Sequence, residues 1–261
     1  MKVVILCGGR GTRIRDVSEN LPKPMVPIGN FPIIWHIMKT YAYFGYKDFI
    51  LCLGYKGEII KNFFLNYKSL TNDLTLDFNK DGEIIFHSTQ TSLDWRITFV
   101  NTGLETLTGS RLSKVRAHIG DDKNFMLTYG DGLSDVNISD LETFHLKHGK
   151  IMTVCGVHPP GRFGELEINE RGLITEFNEK PQTSGGRISG GYFVCSNSIF
   201  DYLNKNQDNE ILEAQPMRKI SRDEEMMVFE LVAVVPAAQF KNPVVMDDCG
   251  LEKCVFRQQY R

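Results

Sequence analysis

The chain lacks several devices. It has six cysteines and six histidines, yet no Cys-x-x-Cys pair and no His-x-His spacing supports a metal finger. No long apolar run is present. The opening stretch Val3–Cys7 is too short for a secretory core, and the most apolar window, residues 226–240, is broken by Glu230 and Pro236. That window falls short of the ~20 residues needed to span a bilayer. These absences predict a cytoplasmic protein with no membrane partner. Neither sign of charge dominates: 30 Lys+Arg face 32 Asp+Glu, for a net charge of −2. A general nucleic-acid binder needs a basic surplus, so that class is excluded. No Gly-Lys-Ser/Thr follows the first glycines, and Ile14 stands where a dinucleotide loop has its third glycine. No Ser-His-Asp arrangement is visible.

What is present is an ordinary globular composition over 261 residues, 42% hydrophobic and 24% charged, enough for one large core. Cys7, Cys52, Cys155 and Cys195 lie in apolar runs and read as small buried hydrophobes of a reducing compartment. Cys249 and Cys254 have no partner pair. Short apolar runs alternate with amphipathic ones. Lys2–Cys7 and Asp48–Leu53 read as buried strands. Helices are expected over 31–44, with Asn30 as N-cap, and over Gly57–Tyr67. Ser139–Gly149 has the pattern of a helix with a Ser139/Glu142 capping box. Strands are expected at Leu74–Phe78, Glu83–His87, Arg96–Asn101, Phe125–Tyr129 and Ile151–Val157. Further strands fall at Glu165–Asn169, Gly172–Phe177 and Gly190–Cys195, with a helix in Leu112–Gly120. The β-α-β order implies parallel strands with right-handed crossovers. The expected fold is one three-layer α/β domain over 1–261, with an inserted β portion and an atypical segment at 232–261.

The chemistry is expected at strand exits. Leu6-Cys7-Gly8-Gly9-Arg10-Gly11-Thr12-Arg13 carries a buried strand into a loop whose glycines admit phosphate oxygens to backbone N–H groups. Arg13 adds a charge-assisted contact. Lys23 sits between Pro22 and Pro24, which limit the freedom of its loop. Tyr129-Gly130-Asp131-Gly132 places a carboxylate at the end of a strand, where open α/β sheets bind ligands. Small neighbours leave room there for hydrated Mg²⁺, which needs few protein carboxylates. Gly161–Glu165, Glu179-Lys180-Pro181 and Gly190-Gly191-Tyr192 offer fixed acceptors and close backbone approach, as a polyol requires. His36, His145 and His148 read as structural histidines.

Taken together, the segments Gly8–Arg13, Lys23-Pro24-Met25, Gly130-Asp131-Gly132 and Glu179-Lys180-Pro181 resemble those of the sugar-1-phosphate nucleotidyltransferases. Pro32–Lys39, Cys52–Gly57, Asn101–Leu112 and Gly161–Leu166 resemble the members that act on CTP and glucose 1-phosphate. The resemblance runs over about residues 1–230. It implies a Rossmann-like nucleotidyltransferase fold with a mixed, mostly parallel sheet, and Mg²⁺-dependent transfer of a cytidylyl group to glucose 1-phosphate. It implies that Leu6, Gly8, Gly9, Gly11, Thr12 and Arg13 cradle the triphosphate, and that Lys23 contacts the reacting phosphates. Thr102, Gly103, Thr108 and Arg111 fall in the implied cytosine-reading loop, with Gly130 also on the nucleotide. Tyr129, Gly164, Glu179, Lys180 and Gly191 fall to the sugar phosphate. Asp131 is the implied metal ligand. Asp247 is the choice for the second, with Asp248 as the alternative, because the usual Met-Asp-Thr is replaced by Met246-Asp247-Asp248. A homo-oligomer, up to a hexamer, is implied too. Another sugar, another pyrimidine nucleotide, or a binding module without turnover stays open on the residues alone.

Overall fold

The computed structural model describes residues 1–10, 21–87, 93–157, 165–168, 174–178, 187–204, 208–231 and 234–236. In chain order the first elements are β1 (Val3–Leu6), β2 (Pro27–Ile28), β3 (Phe31–Pro32), α1 (Ile33–Tyr43), β4 (Asp48–Leu53), α2 (Gly57–Leu65) and α3 (Tyr67–Thr71). There follow β5 (Leu74–Asp77), β6 (Glu83–Phe86), β7 (Arg96–Asn101), α4 (Thr108–Lys114) and α5 (Arg116–Ile119). Next come β8 (Asn124–Tyr129), β9 (Gly132–Ser134), α6 (Ile138–His148), β10 (Met152–Val157), β11 (Glu165–Ile168) and β12 (Ile174–Asn178). The last are β13 (Ile188–Ser196), α7 (Gln215–Arg222), β14 (Met226–Leu231) and β15 (Val234–Pro236).

The main sheet has seven strands in the order β14-β10-β13-β8-β1-β4-β7. Strand β1 pairs in parallel with β4 and β8, and β4 with β7. Strand β13 alone runs against the others, between β8 and β10. Alternation sorts β1 onto two faces. Val3 and Ile5 pack with Ile34, Ile37, Met38 and Tyr41 of α1, Ile60 of α2 and Leu141 of α6. Val4 and Leu6 pack with Leu112, Val115 and Ile119 of α4–α5 and Ile220 of α7. The result is the expected helix–sheet–helix stack around a mostly parallel sheet. Strands β11 and β12 form a separate antiparallel pair.

Three helix starts differ from the sequence expectation. The N-cap of α1 is Pro32, not Asn30, because residues 27–32 fold into a small hairpin pairing Pro27 with Pro32. The N-cap of α6 is Asn137, whose side chain accepts from the N–H groups of Ser139 and Asp140. Glu142 takes the Tyr46 hydroxyl instead of closing a capping box. Helix α4 starts at Thr108, earlier than its apolar residues show, for a reason given below.

Candidate active site

The C-terminal ends of β1, β4 and β8 reach one edge of the sheet. Reversed β13 brings its N-terminal part to the same edge, with Tyr192 opposite Thr128. A cavity of about 650 Å³ opens there. Leu6, Gly8, Gly9, Lys23, Thr108, Arg111, Tyr129, Gly130, Asp131 and Gly191 all line it.

The exit of β1 is held by backbone bonds. Cys7 N–H donates to Cys52 O at 3.3 Å, Tyr55 N–H to Gly8 O at 3.1 Å, and Gly130 N–H to Leu6 O at 2.9 Å. A Cβ on Gly130 would lie 3.0 Å from Cys7 Cβ and from Pro24 Cγ, so glycine keeps this approach free of a tight contact. Lys23 starts a 3₁₀ turn, Lys23–Met25, entered through Pro22. Its Nζ stands 3.5 Å from Asp131 Oδ2, with both side chains partly open to the cavity. Opposite, Thr128 Oγ1 donates to Gly191 O at 2.9 Å. Gly191 has φ of +80°, and a side chain there would meet the Tyr129 ring. Burial pushes the Cys7 thiol well up, and Cys52 up to about 12, so neither serves as a thiolate.

Arg111 is the hub of the opposite wall. Its Nη1 donates to Leu53 O at 3.1 Å, Thr102 Oγ1 at 2.6 Å and Gly103 O at 2.8 Å. Its Nη2 donates to Gly8 O at 3.0 Å and Leu104 O at 3.3 Å. The side chain is buried, and burial lowers its pKa from the usual guanidinium value. Arg10 pairs with Glu105, tying the glycine loop to the same wall. Thr102 is buried against Leu53 O, at 2.7 Å, and neither it nor Gly103 lines the cavity. Thr106 and Leu107 line it in their place.

Residues 208–213 clamp this wall from outside. Leu107 N–H donates to Asp208 O, and Gly109 and Ser110 N–H both donate to Glu210 O. Leu212 N–H donates to Thr108 Oγ1 at 2.9 Å. Lys114 pairs with Asp208 at 2.5 Å. The Glu210 carbonyl thus takes two of the free amides of the first turn of α4, which is what lets the helix start at Thr108. Glu213 continues the clamp into the cavity. The sequence carries no local sign of Glu213, which is 84 residues from its partner Tyr129. Gly11, Thr12, Arg13, Gly164, Glu179, Lys180 and Asp247 lie outside the described residues.

The sequence profile of the nucleotidyl transferase family matches residues 2–229. The chain belongs to that family. A relative from Bacillus subtilis (strain 168), a probable glucose-1-phosphate cytidylyltransferase, is 45% identical over 229 residues, 88% of this chain and 87% of that one. The glucose-1-phosphate cytidylyltransferase of Salmonella typhi is 42% identical over 230 residues, 88% of each chain. Among solved structures, HddC from Yersinia pseudotuberculosis aligns with a TM-score of 0.64 at 21% identity, covering 90% of this chain and 93% of that one. A putative glucose-1-phosphate thymidylyltransferase from Bacillus anthracis aligns with a TM-score of 0.65 at 16% identity, covering 91% and 89%. Those two likenesses concern the fold. Among the described residues no helix is long and apolar enough to cross a membrane.

Proposed function

We propose that this chain transfers the cytidylyl group of CTP to α-D-glucose 1-phosphate, giving CDP-glucose and pyrophosphate. The observation that carries the reading is the meeting of Lys23 and Asp131, 3.5 Å apart, beside the glycine exit of β1. Relatives named for this reaction at 42–45% identity support the choice of nucleotide and sugar. Mannose-1-phosphate guanyltransferases match at only 28%, over 58% of their length.

In this reading an oxygen of the sugar phosphate attacks the α-phosphorus of CTP. The bond from that phosphorus to the bridging oxygen breaks, and pyrophosphate departs in line with the attack. The nucleophile is already anionic, so no general base is needed. The work of the chain is positioning and charge neutralisation. Gly8 and Gly9, with Gly11, Thr12 and Arg13, hold the triphosphate, and Lys23 faces the reacting phosphates. Thr102, Gly103, Thr108 and Arg111 build the cytidine side. Tyr129 and Gly191, with Gly164, Glu179 and Lys180, take glucose 1-phosphate.

Asp131 fits a Mg²⁺ site: it is a half-exposed carboxylate on the cavity wall, and Mg²⁺ binds through one or two carboxylates plus phosphate oxygens. Asp131 would hold the ion with Asp247, and the ion would supply charge neutralisation at the phosphates. A cytoplasmic homo-oligomer, up to a hexamer, completes the proposal.

The test is one assay. The protein is incubated with Mg²⁺ and each of CTP, UTP, dTTP and ATP against several sugar 1-phosphates, and pyrophosphate is measured. Release with CTP and glucose 1-phosphate is expected. Release with another pair, or nucleotide binding without release, overturns the reading.

A further inference from the structure

Glu213 has no place in the roles above, yet it and Asp131 are the carboxylates lining the cavity among the described residues. It accepts the hydroxyl of Tyr129 on one oxygen and the hydroxyl of Thr108, at 2.6 Å, on the other. A carboxylate only accepts, so both hydroxyls must turn their hydrogens toward it. Burial, then the negative charges of Glu213 and Asp131, push the pKa of Tyr129 up, and the phenol keeps the proton it donates. The Tyr129 hydroxyl therefore keeps its lone pairs, the Thr108 oxygen, which also accepts from Leu212 N–H, keeps one for a ligand, and each carboxylate oxygen has spare acceptor capacity.

The donors that follow Thr108 along α4 are already used. The Gly109 and Ser110 N–H groups donate to Glu210 O, at 2.9 and 3.3 Å. The terminal nitrogens of Arg111 serve five acceptors of the protein. This stretch of wall is thus a patch of acceptors. The 4-position of cytosine is an amine that donates, whereas that of uracil or thymine is a carbonyl that accepts. A sugar hydroxyl does both, so an acceptor patch discriminates bases better than it discriminates sugars.

We propose that Glu213, with the Thr108 hydroxyl it orients on the cytidine side, is a base-specificity residue: it accepts from the amine of cytosine and repels the carbonyl of uracil or thymine. This rests on the cytidylyl-transfer reading and names what enforces it. A site built around hydrogen-bond partners rejects a mismatched analogue because its polar groups are left unpaired.

The experiment compares the full chain with Glu213→Gln and Thr108→Val. kcat/KM is measured for CTP and for UTP at saturating glucose 1-phosphate, together with KM for glucose 1-phosphate. The amide of Glu213→Gln presents a donor where the carboxylate had none. The CTP:UTP ratio should fall by on the order of tenfold or more, with KM for glucose 1-phosphate little changed. Thr108→Val, which removes the cytidine-side hydroxyl that Glu213 holds, should lower the ratio in the same direction, which keeps the test decisive if Glu213→Gln fails to fold. A wild type that prefers CTP beside variants with an unchanged ratio overturns this proposal alone. So does a change confined to KM for glucose 1-phosphate. A wild type that does not prefer CTP overturns the underlying reading, and this is seen before any variant is made.

Discussion

The guanidinium of Arg111 lies where a side chain on Gly8 would begin, and its Nη2 donates to the Gly8 carbonyl at 3.0 Å. Gly8 is therefore a glycine for a neighbour inside the protein as well as for any phosphate outside it. Gly54 is in the same position: a Cβ there would stand 2.6 Å from Arg111 Nη1.

Gly8→Ala should therefore destabilise the fold as well as weaken nucleotide binding. The Arg111 end is pinned by five acceptors, and Gly54 N lies 2.9 Å from the added Cβ, so neither neighbour moves aside easily. Overpacking of this kind costs about 1–3 kcal/mol. Urea denaturation checks it, and an unshifted midpoint would contradict it.

Arg111→Lys should not rescue Arg111→Ala. A lysine has three donors on one nitrogen and cannot reach two sets of carbonyls on opposite sides of a planar fork. Losing hydrogen bonds from a charged group costs about 1.5–3 kcal/mol each. The expected result is that both variants melt well below wild type, by calorimetry, and lie close to each other.

Lys23→Ala and Asp131→Ala should each lower turnover by ~10²–10³, the usual cost of one lost charge-stabilising contact. Both side chains sit at the cavity surface, not in the core, so circular dichroism and melting should stay near wild type. Near-normal turnover in both would remove their assigned roles.

Acid should loosen the junction of α6 and β10. The Lys150 N–H donates to His148 Nδ1 at 2.9 Å, so neutral His148 carries its hydrogen on Nε2 and gives it to Thr153 Oγ1 at 2.7 Å. Thr153 then donates to His145 Nδ1 at 2.8 Å. Protonating either ring puts a hydrogen where one already points. Burial, then the neighbouring His148, lowers His145 from 6.5 to about 4, and burial lowers His148 as well. A histidine depressed in the folded state contributes stability above its unfolded pKa. That stability is lost as pH falls from 6.5 toward 4, by about 3 kcal/mol at most for His145. Urea midpoints at pH 7.5, 6 and 4.5 should fall more steeply in wild type than in His145→Asn; equal slopes would refute the chain.

Asn137→Ala should cost about 1 kcal/mol, whereas Ser139→Ala should cost little. The thermal melts of the two variants decide which residue caps α6.

That cap marks where the sequence stops being readable. Strand β4 was legible to its last residue, because Asp48–Leu53 is an unbroken buried run between a loop and a glycine. Lys23, Gly130, Asp131 and Gly191 were legible because glycine, proline and charge at a strand exit have a local chemical meaning. The cap was ambiguous because Asn137 and Ser139 are both good caps, and the hydrogen bonds that choose between them are not local in the pattern. The start of α4 was hidden for a stronger reason. Its first turn is satisfied by the carbonyl of Glu210, about 100 residues away, and no spacing rule reaches that far. Glu213 was hidden for the same reason.

The reversed strand β13 bears on how the site comes into being. The walls of the cavity are drawn from residues 6–9, 23–24, 106–108, 111, 128–132, 189–192 and Glu213. Each section of chain brings a part of the site that does nothing without the rest. A nascent chain that has emerged only through Gly132 has its glycine exit, its carboxylate and the Arg111 wall but not the face supplied by residues 189–192. Closure waits for β13 to insert antiparallel between β8 and β10, a pairing of high sequence separation that forms slowly. A ligand that spans the cavity therefore binds only the completed sheet, and binding raises the stability of every strand at once.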